Sequence, residues 1–551
     1  MPTHIALEFS DQPYDDCEKS VVVCVTDLHG RYQERVRIGI VSAEEIYKMI
    51  DSGSPVNLDL RYVKDFSLKD YRESRNLGED QVIELKDFSA SWGYFDGIEP
   101  TDFSHVKFTG AMTSFSNALF GDSPLSFYSS KFLAGLTDFS LSHFGEGVAN
   151  FQYAEFHSKT INFDHAIFET GDVHFVNCEF GDSKVSFREV NFGEGKVGFH
   201  YTRFGEGLIT FDKSKFGGGE VSFKRVDFGE GKVDFKRTQF GDGEIDFSEA
   251  EFRSGKVVFR SAVFGNGNIN FQECVSFSEF IFDNAEFGSG SLSFFKAQAE
   301  RLSFKLCQFN NYVDLRVKDV GQIDLSHTIV RDIIDLMPTD SVPVQMKQMY
   351  FHGLRNLGHL YIDWERNDVL NLIASQGETS NREKSQQFLV LKETYNSTGR
   401  YSDEDHAYVW YKRYELKADL EYSLKHRKGS GFWAYPTAFF KWLLFDKIGL
   451  YATEPLRVLF SVSVIYTLFS ILYLVLPLMF DTYIETGGGE ELANMNPVSK
   501  AFYYSAITFL TIGYGEFYPV GIMRFFASVE GYVGVFLMGY FSVAFLRKVL
   551  R

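Results

Sequence analysis

From Phe103 to Phe271 the chain places phenylalanine at alternating spacings of five and seven residues. The series opens Phe103, Phe108, Phe115, Phe120, Phe127, Phe132, Phe139, Phe144, Phe151 and runs without a break through Phe199, Phe223 and Phe247 to Phe264 and Phe271. A strict repeat of 12 residues, about fourteen times over, means a solenoid, because one unit cannot bury its apolar face alone and must stack on its neighbours. Two residues before many of these rings stands a second apolar side chain, as at Val221, Val233, Ile245, Ala250, Val257 and Ala262. Each short side would then carry two inward residues. A coil of about 24 residues with four sides is expected, since half that length is too narrow to hold stacked rings. Seven such coils at a strand spacing of ~4.8 Å give a rod of about 34 Å. The same pattern explains why the chain holds 58 Phe against only 12 Pro.

After Phe271 the register slips to Phe277, Phe282, Phe287 and Phe294 and fades through Phe304, Phe309, Leu315 and Leu325. The solenoid is therefore expected over residues 86–335. An inward pair every five positions resembles the pentapeptide-repeat family, which implies a right-handed quadrilateral β-helix. Here every second side is longer by two residues, at Phe-Gly-Glu-Gly-Lys-Val or Phe-Gly-Asp-Gly-Glu-Ile, where glycines would allow wide corners. The acidic residues at these corners do not fall in the nine-residue register of a calcium-binding solenoid. Between Val185 and Phe259 stand 13 acidic and 12 basic residues, a balance unlike a DNA-mimicking rod. A scaffold or interaction surface with an unknown cytoplasmic partner or ligand is the expectation. Ahead of it, residues 1–85 read as a small α/β cap, with strands at Val21–Val25 and Val36–Ile40 and a helix at Ala43–Ile50.

Residues 336–430 lose the period and read as an α-helical linker. Helices are expected at Asn381–Thr394 and from about Asp403 to Lys428, opened by Ser402-Asp403-Glu404-Asp405. The cluster Lys425-His426-Arg427-Lys428 suits anionic headgroups. Residues 431–454 mix Trp433, Tyr435, Phe439, Phe440, Trp442 and Phe445 with charges, too many to span, and read as an amphipathic helix lying at a membrane interface.

Residues 455–551 hold two long apolar runs, expected as spans at 456–480 and 523–546; each is long enough to cross a bilayer core of ~30 Å. Between them Asn496 and Pro497 open a short helix, 497–509. The stretch 511–516 follows, Thr-Ile-Gly-Tyr-Gly-Glu, with Thr508 three residues ahead. This resembles the selectivity filter of two-span potassium channels. The resemblance implies an all-α pore module with a re-entrant pore helix. Thr511, Ile512, Gly513 and Tyr514 would offer carbonyl oxygens to K+, with the Thr511 hydroxyl added, and Gly515 would complete the loop. Gly513 and Gly515 permit the backbone angles that aim successive carbonyls one way. Tyr514 would point away from the ion path and brace the loop. Glu516, where the family usually has Asp, Thr508, and an aromatic cuff of Phe502 and Tyr503 would support it. Gly534 is closest to the family's inner-helix hinge, with Gly531 and Gly539 as rivals. The second run carries one charge in its first half, Glu530.

Four filter loops surround one ion path, so a single copy per chain implies a homotetramer. Lys441, Lys447 and Arg457 before the first run, and Arg547 and Lys548 after the second, imply a multi-pass protein of the plasma (inner) membrane with both termini cytoplasmic. Five cysteines without paired spacing suit a reducing compartment, and the N-terminus lacks the pattern of a secretory leader. A net charge of -19 argues against nucleic acid as partner. No nucleophile elbow, phosphate loop or metal cluster marks an enzyme, and no cofactor beyond the permeant ion is expected. The expected function is a potassium-selective channel gated through its N-terminal part. The competing reading is a membrane-anchored β-helix scaffold or sensor whose pore is vestigial or non-selective.

Overall fold

The computed structural model describes residues 4–26, 32–426, 433–487 and 495–550. Arg427 and Lys428 of the basic cluster, and Gly488 to Glu491 of the loop between the spans, lie outside them. The chain divides into two compact units, Met1–Gly377 and Glu378–Arg551.

The first unit is a β-solenoid. Each coil has four sides: Leu119–Phe120, Leu125–Ser126, Lys131–Phe132 and Leu136–Asp138 in one coil. Each side pairs in parallel with the residue 24 positions on, as Leu119 with His143, Leu125 with Ala149, Lys131 with Glu155 and Leu136 with Thr160. The phenylalanines form four columns through the core. Phe103, Phe127, Phe151 and Phe175 stack at 5.1, 5.0 and 4.7 Å between ring centres. Phe115, Phe139 and Phe163 stack at 4.9 and 4.8 Å in a second column. Adjacent columns meet edge to face, as Phe103 with Phe115 at 84°. Each pair contributes about 0.5–1.5 kcal/mol beyond the burial of its area, so the alternation of spacing sets both register and stability.

The corners differ from expectation. The left-handed backbone falls mainly on residues two places after a ring, such as Tyr201, Lys213 and Arg225, with φ of 61°, 61° and 54°. Most corner glycines have ordinary φ. They are small for another reason: a Cβ on Gly219 would lie 2.1 Å from the carbonyl oxygen of Gly195 in the coil below. Close approach between coils, rather than a wide turn, demands glycine there.

The solenoid also extends past both expected ends. At its start, strands β1 (His4–Ser10), β2 (Ser20–Thr26) and β3 (Tyr32–Val41) pair antiparallel, and helix α1 (Ala43–Asp51) follows. Then β3 pairs in parallel with β4 (Arg61–Lys64), and β4 with Tyr94–Asp96. The cap and the first coils thus share one sheet, and Phe66, Phe88 and Phe95 are already in the core. A boundary at residue 85 cuts through a coil, interrupted only by helix α2 (Leu68–Ser74). At the other end one side forms a parallel sheet of 12 strands from Thr101–Asp102 to His359–Tyr361, about 50 Å of rod at the usual spacing. The period fades near 335 because Leu315, Leu325 and Leu336 replace phenylalanine in the core while pairing continues. Phe277 is also corrected. It is 76% exposed, and Phe280 takes the inward place opposite Val257. Helix α3 (Val369–Ala374) ends this unit, burying Val369, Leu372 and Ile373.

The second unit starts with a helical hairpin, α4 (Asn381–Ser397) and α5 (Tyr401–His426). Ser380 caps α4 with Glu383 in a reciprocal capping box. Phe388, Leu391 and Tyr395 are buried, and Phe388 stacks on Tyr414 of α5 at 5.6 Å. Helix α6 (Ala434–Lys441) continues as a π-helical stretch, Trp442–Ile448, and both leave Tyr435, Phe439, Phe440 and Trp442 exposed. A tight turn at Leu450, Tyr451 and Ala452, all left-handed, leads into the first long apolar helix, Pro455–Met479. The second is Met523–Val549, and the short helix between them is Pro497–Phe509.

Candidate functional site

Among the described residues, two helices in the second unit are long and apolar enough to cross a membrane. The short helix packs between them, around Tyr473 and Leu476 of the first span, Ala501, Tyr504 and Ile507 of its own, and Met523 of the second. Its start follows from sequence: the Asn496 side chain accepts the Val498 N–H at 3.0 Å, and Pro497 occupies the first turn. Its C-terminal carbonyls carry the negative end of the helix dipole.

The loop after it folds back on that end. The Ile507 carbonyl accepts the Ile512 N–H at 2.9 Å and the Gly513 N–H at 3.3 Å, and the Thr508 carbonyl accepts the Thr511 N–H at 3.1 Å. The backbone is left-handed at Thr511 (φ 55°), Gly513 (61°) and Gly515 (79°). Two of the three are glycine, where such angles carry no Cβ penalty. The Thr511 hydroxyl donates to the Leu510 carbonyl at 2.7 Å. Thr511, Ile512, Gly513, Tyr514 and Gly515 are all exposed within one chain, Tyr514 by 67%. Among the described residues no hydrogen bond braces Tyr514.

The supporting residues lie behind this loop. The Tyr503 hydroxyl reaches Glu516 Oε2 at 3.4 Å, and its ring meets Phe517 at 5.6 Å. Phe502 faces the first span: its carbonyl accepts the Tyr466 hydroxyl at 3.0 Å. Beyond the loop, Phe517–Val520 pairs antiparallel with Tyr483–Thr486, and the Gly487 N–H donates to the Glu516 carbonyl at 2.8 Å. This two-stranded ribbon ties the loop's far end to the segment that follows the first span.

The second span runs as one helix past Gly531, Gly534 and Gly539. The three differ in surroundings. A Cβ on Gly534 would stand 2.0 Å from the Phe509 carbonyl oxygen, one on Gly531 would be 3.9 Å from that of Thr508, and Gly539 faces open space. Gly534 is where this helix crosses the short one.

Sequence reasoning noted Glu530 only as a charge. It is fully buried, and accepts hydrogen bonds from Tyr473 of the first span at 2.6 Å and from Ser505 of the short helix at 2.5 Å. A lone carboxylate in an apolar run was the available signal.

The fold and this site define a β-solenoid chain with a two-span membrane module, in which a short helix and a loop enter between the spans. Residues 458–551 match the model of a family described as Ion channel. The solenoid and linker lie outside the match. No curated protein and no solved structure matches the chain.

Proposed function

We propose that the chain is a potassium-selective channel, in which four copies surround one axis. The observation that carries this reading is the Thr511–Gly515 loop. It hangs from the C-terminal carbonyls of a helix inside a two-span module, with left-handed backbone at alternate residues, and is exposed along its length. An exposed stretch containing Ile512 and Tyr514 in a membrane module suits a segment that faces its own copies. Tyr514 then braces against a neighbouring subunit, and carbonyls from four loops replace the hydration shell of K+. The basic residues at the ends of the spans support cytoplasmic termini at the plasma membrane. No catalytic step or cofactor enters the reading. Gating runs through the linker, whose helix α5 is ion-paired to the end of the second span.

The test is reconstitution into liposomes with separate potassium and sodium flux assays, and Gly513→Asp as control. Potassium flux that exceeds sodium flux and vanishes in the variant is expected. Equal flux of the two ions rejects selectivity and favours a non-selective pore; undiminished flux in Gly513→Asp rejects this loop as the path.

A further inference from the structure

Glu530 sits where a carboxylate is costly. It is fully buried within the second span, and among the described residues no cationic side chain lies within ion-pair distance of it. A carboxylate in such a place persists only if its oxygens are satisfied by hydrogen bonds. Here each oxygen takes one donor, and the two donors come from different helices: Tyr473 from the first span to Oε2, Ser505 from the short helix to Oε1. Both donors are themselves buried. Ser470, one turn before Tyr473, is also buried, but its hydroxyl is used on the Tyr466 carbonyl at 3.0 Å.

The position of this tether relative to the loop is informative. Glu530 and Gly534 are four residues apart and so lie on one face of the second span. Ser505 and Phe509 are four apart on the short helix. The structure pairs them in register: Glu530 on Ser505, and Gly534 against the Phe509 carbonyl, so close that no side chain fits. Between these two seats lies Ile507, whose carbonyl holds the Ile512 and Gly513 N–H groups. The second span thus clamps the last turn of the short helix on either side of the atom from which the loop hangs.

Resting on the potassium reading, we propose that Glu530 is a positioning residue for ion selection. It fixes the rotation and height of the short helix, and through the Ile507 carbonyl it fixes the carbonyls of Thr511 to Tyr514. Such sites need their supporting groups held to about 0.5 Å. Without the tether the short helix keeps its apolar packing but loses the directional bond that stops it turning about its axis. Glu530 touches no ion. Its effect falls on discrimination between ions rather than on whether the chain assembles.

The experiment uses the full chain in planar bilayers under bi-ionic potassium and sodium, with the reversal potential as readout and size-exclusion chromatography in detergent as the check on assembly. Glu530→Ala should lower the potassium-to-sodium permeability ratio by about tenfold, the effect of losing one or two hydrogen bonds to a charged group. Glu530→Gln should stay within about threefold of wild type, since the amide still accepts from one hydroxyl and donates to the other. Ser505→Ala and Tyr473→Phe remove one donor each and should fall between, and Ser505→Ala should add little to Glu530→Ala. Should Glu530→Ala not assemble, the two donor variants decide. A selective wild type whose assembled variants all keep its permeability ratio overturns this role alone. A wild type that passes both ions equally overturns the potassium reading and this role with it.

Discussion

Asp405 of helix α5 holds both basic residues at the end of the second span: its Oδ1 accepts Arg547 at 3.0 Å and its Oδ2 accepts Lys548 at 3.1 Å. Glu404 lies 3.5 Å from Arg547 on its other side, and the guanidinium lies over the Tyr408 ring at 4.4 Å. Both carboxylates are largely buried, whereas Lys548 is half exposed. A second tie, Arg413 of α5 with Asp446 at 2.8 Å, joins the linker to the stretch just before the first span. The linker therefore grips the two-span module both before the first span and at the end of the second, the second span most directly.

Any gating that moves the end of the second span must break or carry this cluster. Asp405→Asn and Arg547→Gln should each change the ratio of open to closed time about tenfold and in the same direction, within the usual range of coupling for partly buried pairs. The double variant should go little further than the larger single one. Single-channel recording measures this. Independent, additive effects of the two would mean that the pair carries no coupling. Deleting residues 1–335 asks the broader question, and an unchanged open probability under every condition tried would remove the solenoid from gating.

The core columns give a sharper stability test. Phe223 stacks between Phe199 at 5.0 Å and Phe247 at 4.7 Å and is fully buried. Phe223→Ala should cost about 3–5 kcal/mol. It should be seen as faster hydrogen exchange in the coils on either side, since each coil is held only by its neighbours. Phe277→Ala changes an exposed ring and should leave the same amides protected.

These two residues also mark how far the sequence could be read. A period maintained by one residue type is legible, because four ring columns need one ring per side; that reveals the coil length and the four sides. It is lost when the requirement is met differently. Phe277 falls one place past the five-residue step, where Ser276 pairs with Phe252, and it points out; the coil is then one residue shorter, and Phe280 comes opposite Val257. Leu336 takes a ring's place in the core above Leu315, where no phenylalanine marks it. The Thr511–Gly515 stretch was legible because unusual backbone angles restrict residue choice locally. The pairing of Glu530 with Ser505, and of Asp405 with Arg547, was not. Those residues are 25 and 142 positions apart, and only the packing of helices brings them together.

The solenoid cysteines are structural thiols. Cys178 Sγ donates to the Phe151 carbonyl at 2.9 Å and Cys307 Sγ to the Phe282 carbonyl at 3.1 Å, the place that Ser130 and Thr238 hydroxyls take in other coils. Burial pushes the Cys307 thiol up to about 12 and carries Cys178 and Cys274 in the same direction. An unfolded thiol ionises near about 8.5. The stability from these thiols is therefore full below that value and is lost as pH rises through the folded values. Alkylation by iodoacetamide at pH 8.5 should leave these three unmodified in the folded chain and modify them in denaturant, as read by peptide mass. Ready labelling of Cys178 in the native protein would show that its coil opens.

Gly534 and Gly539 separate two roles for a glycine in the second span. A hinge needs backbone freedom, whereas a crossing needs only the absence of a side chain. Gly534→Ala would drive a methyl to 2.0 Å from the Phe509 carbonyl oxygen, so the helices must move apart, and the atom displaced is two residues before the loop. Gly539→Ala meets no atom within 4 Å among the described residues, and it should stabilise the helix by about 0.5–1 kcal/mol through lower chain entropy. If Gly534 serves packing, Gly534→Ala should cut ion flux and weaken assembly whether the channel is open or closed. If Gly539 is the flexible point, Gly539→Ala should leave assembly intact and change only the ratio of open to closed time. Flux assays on liposomes together with single-channel recording distinguish these. A Gly534→Ala channel that assembles and conducts normally, with altered gating alone, would return the hinge to Gly534.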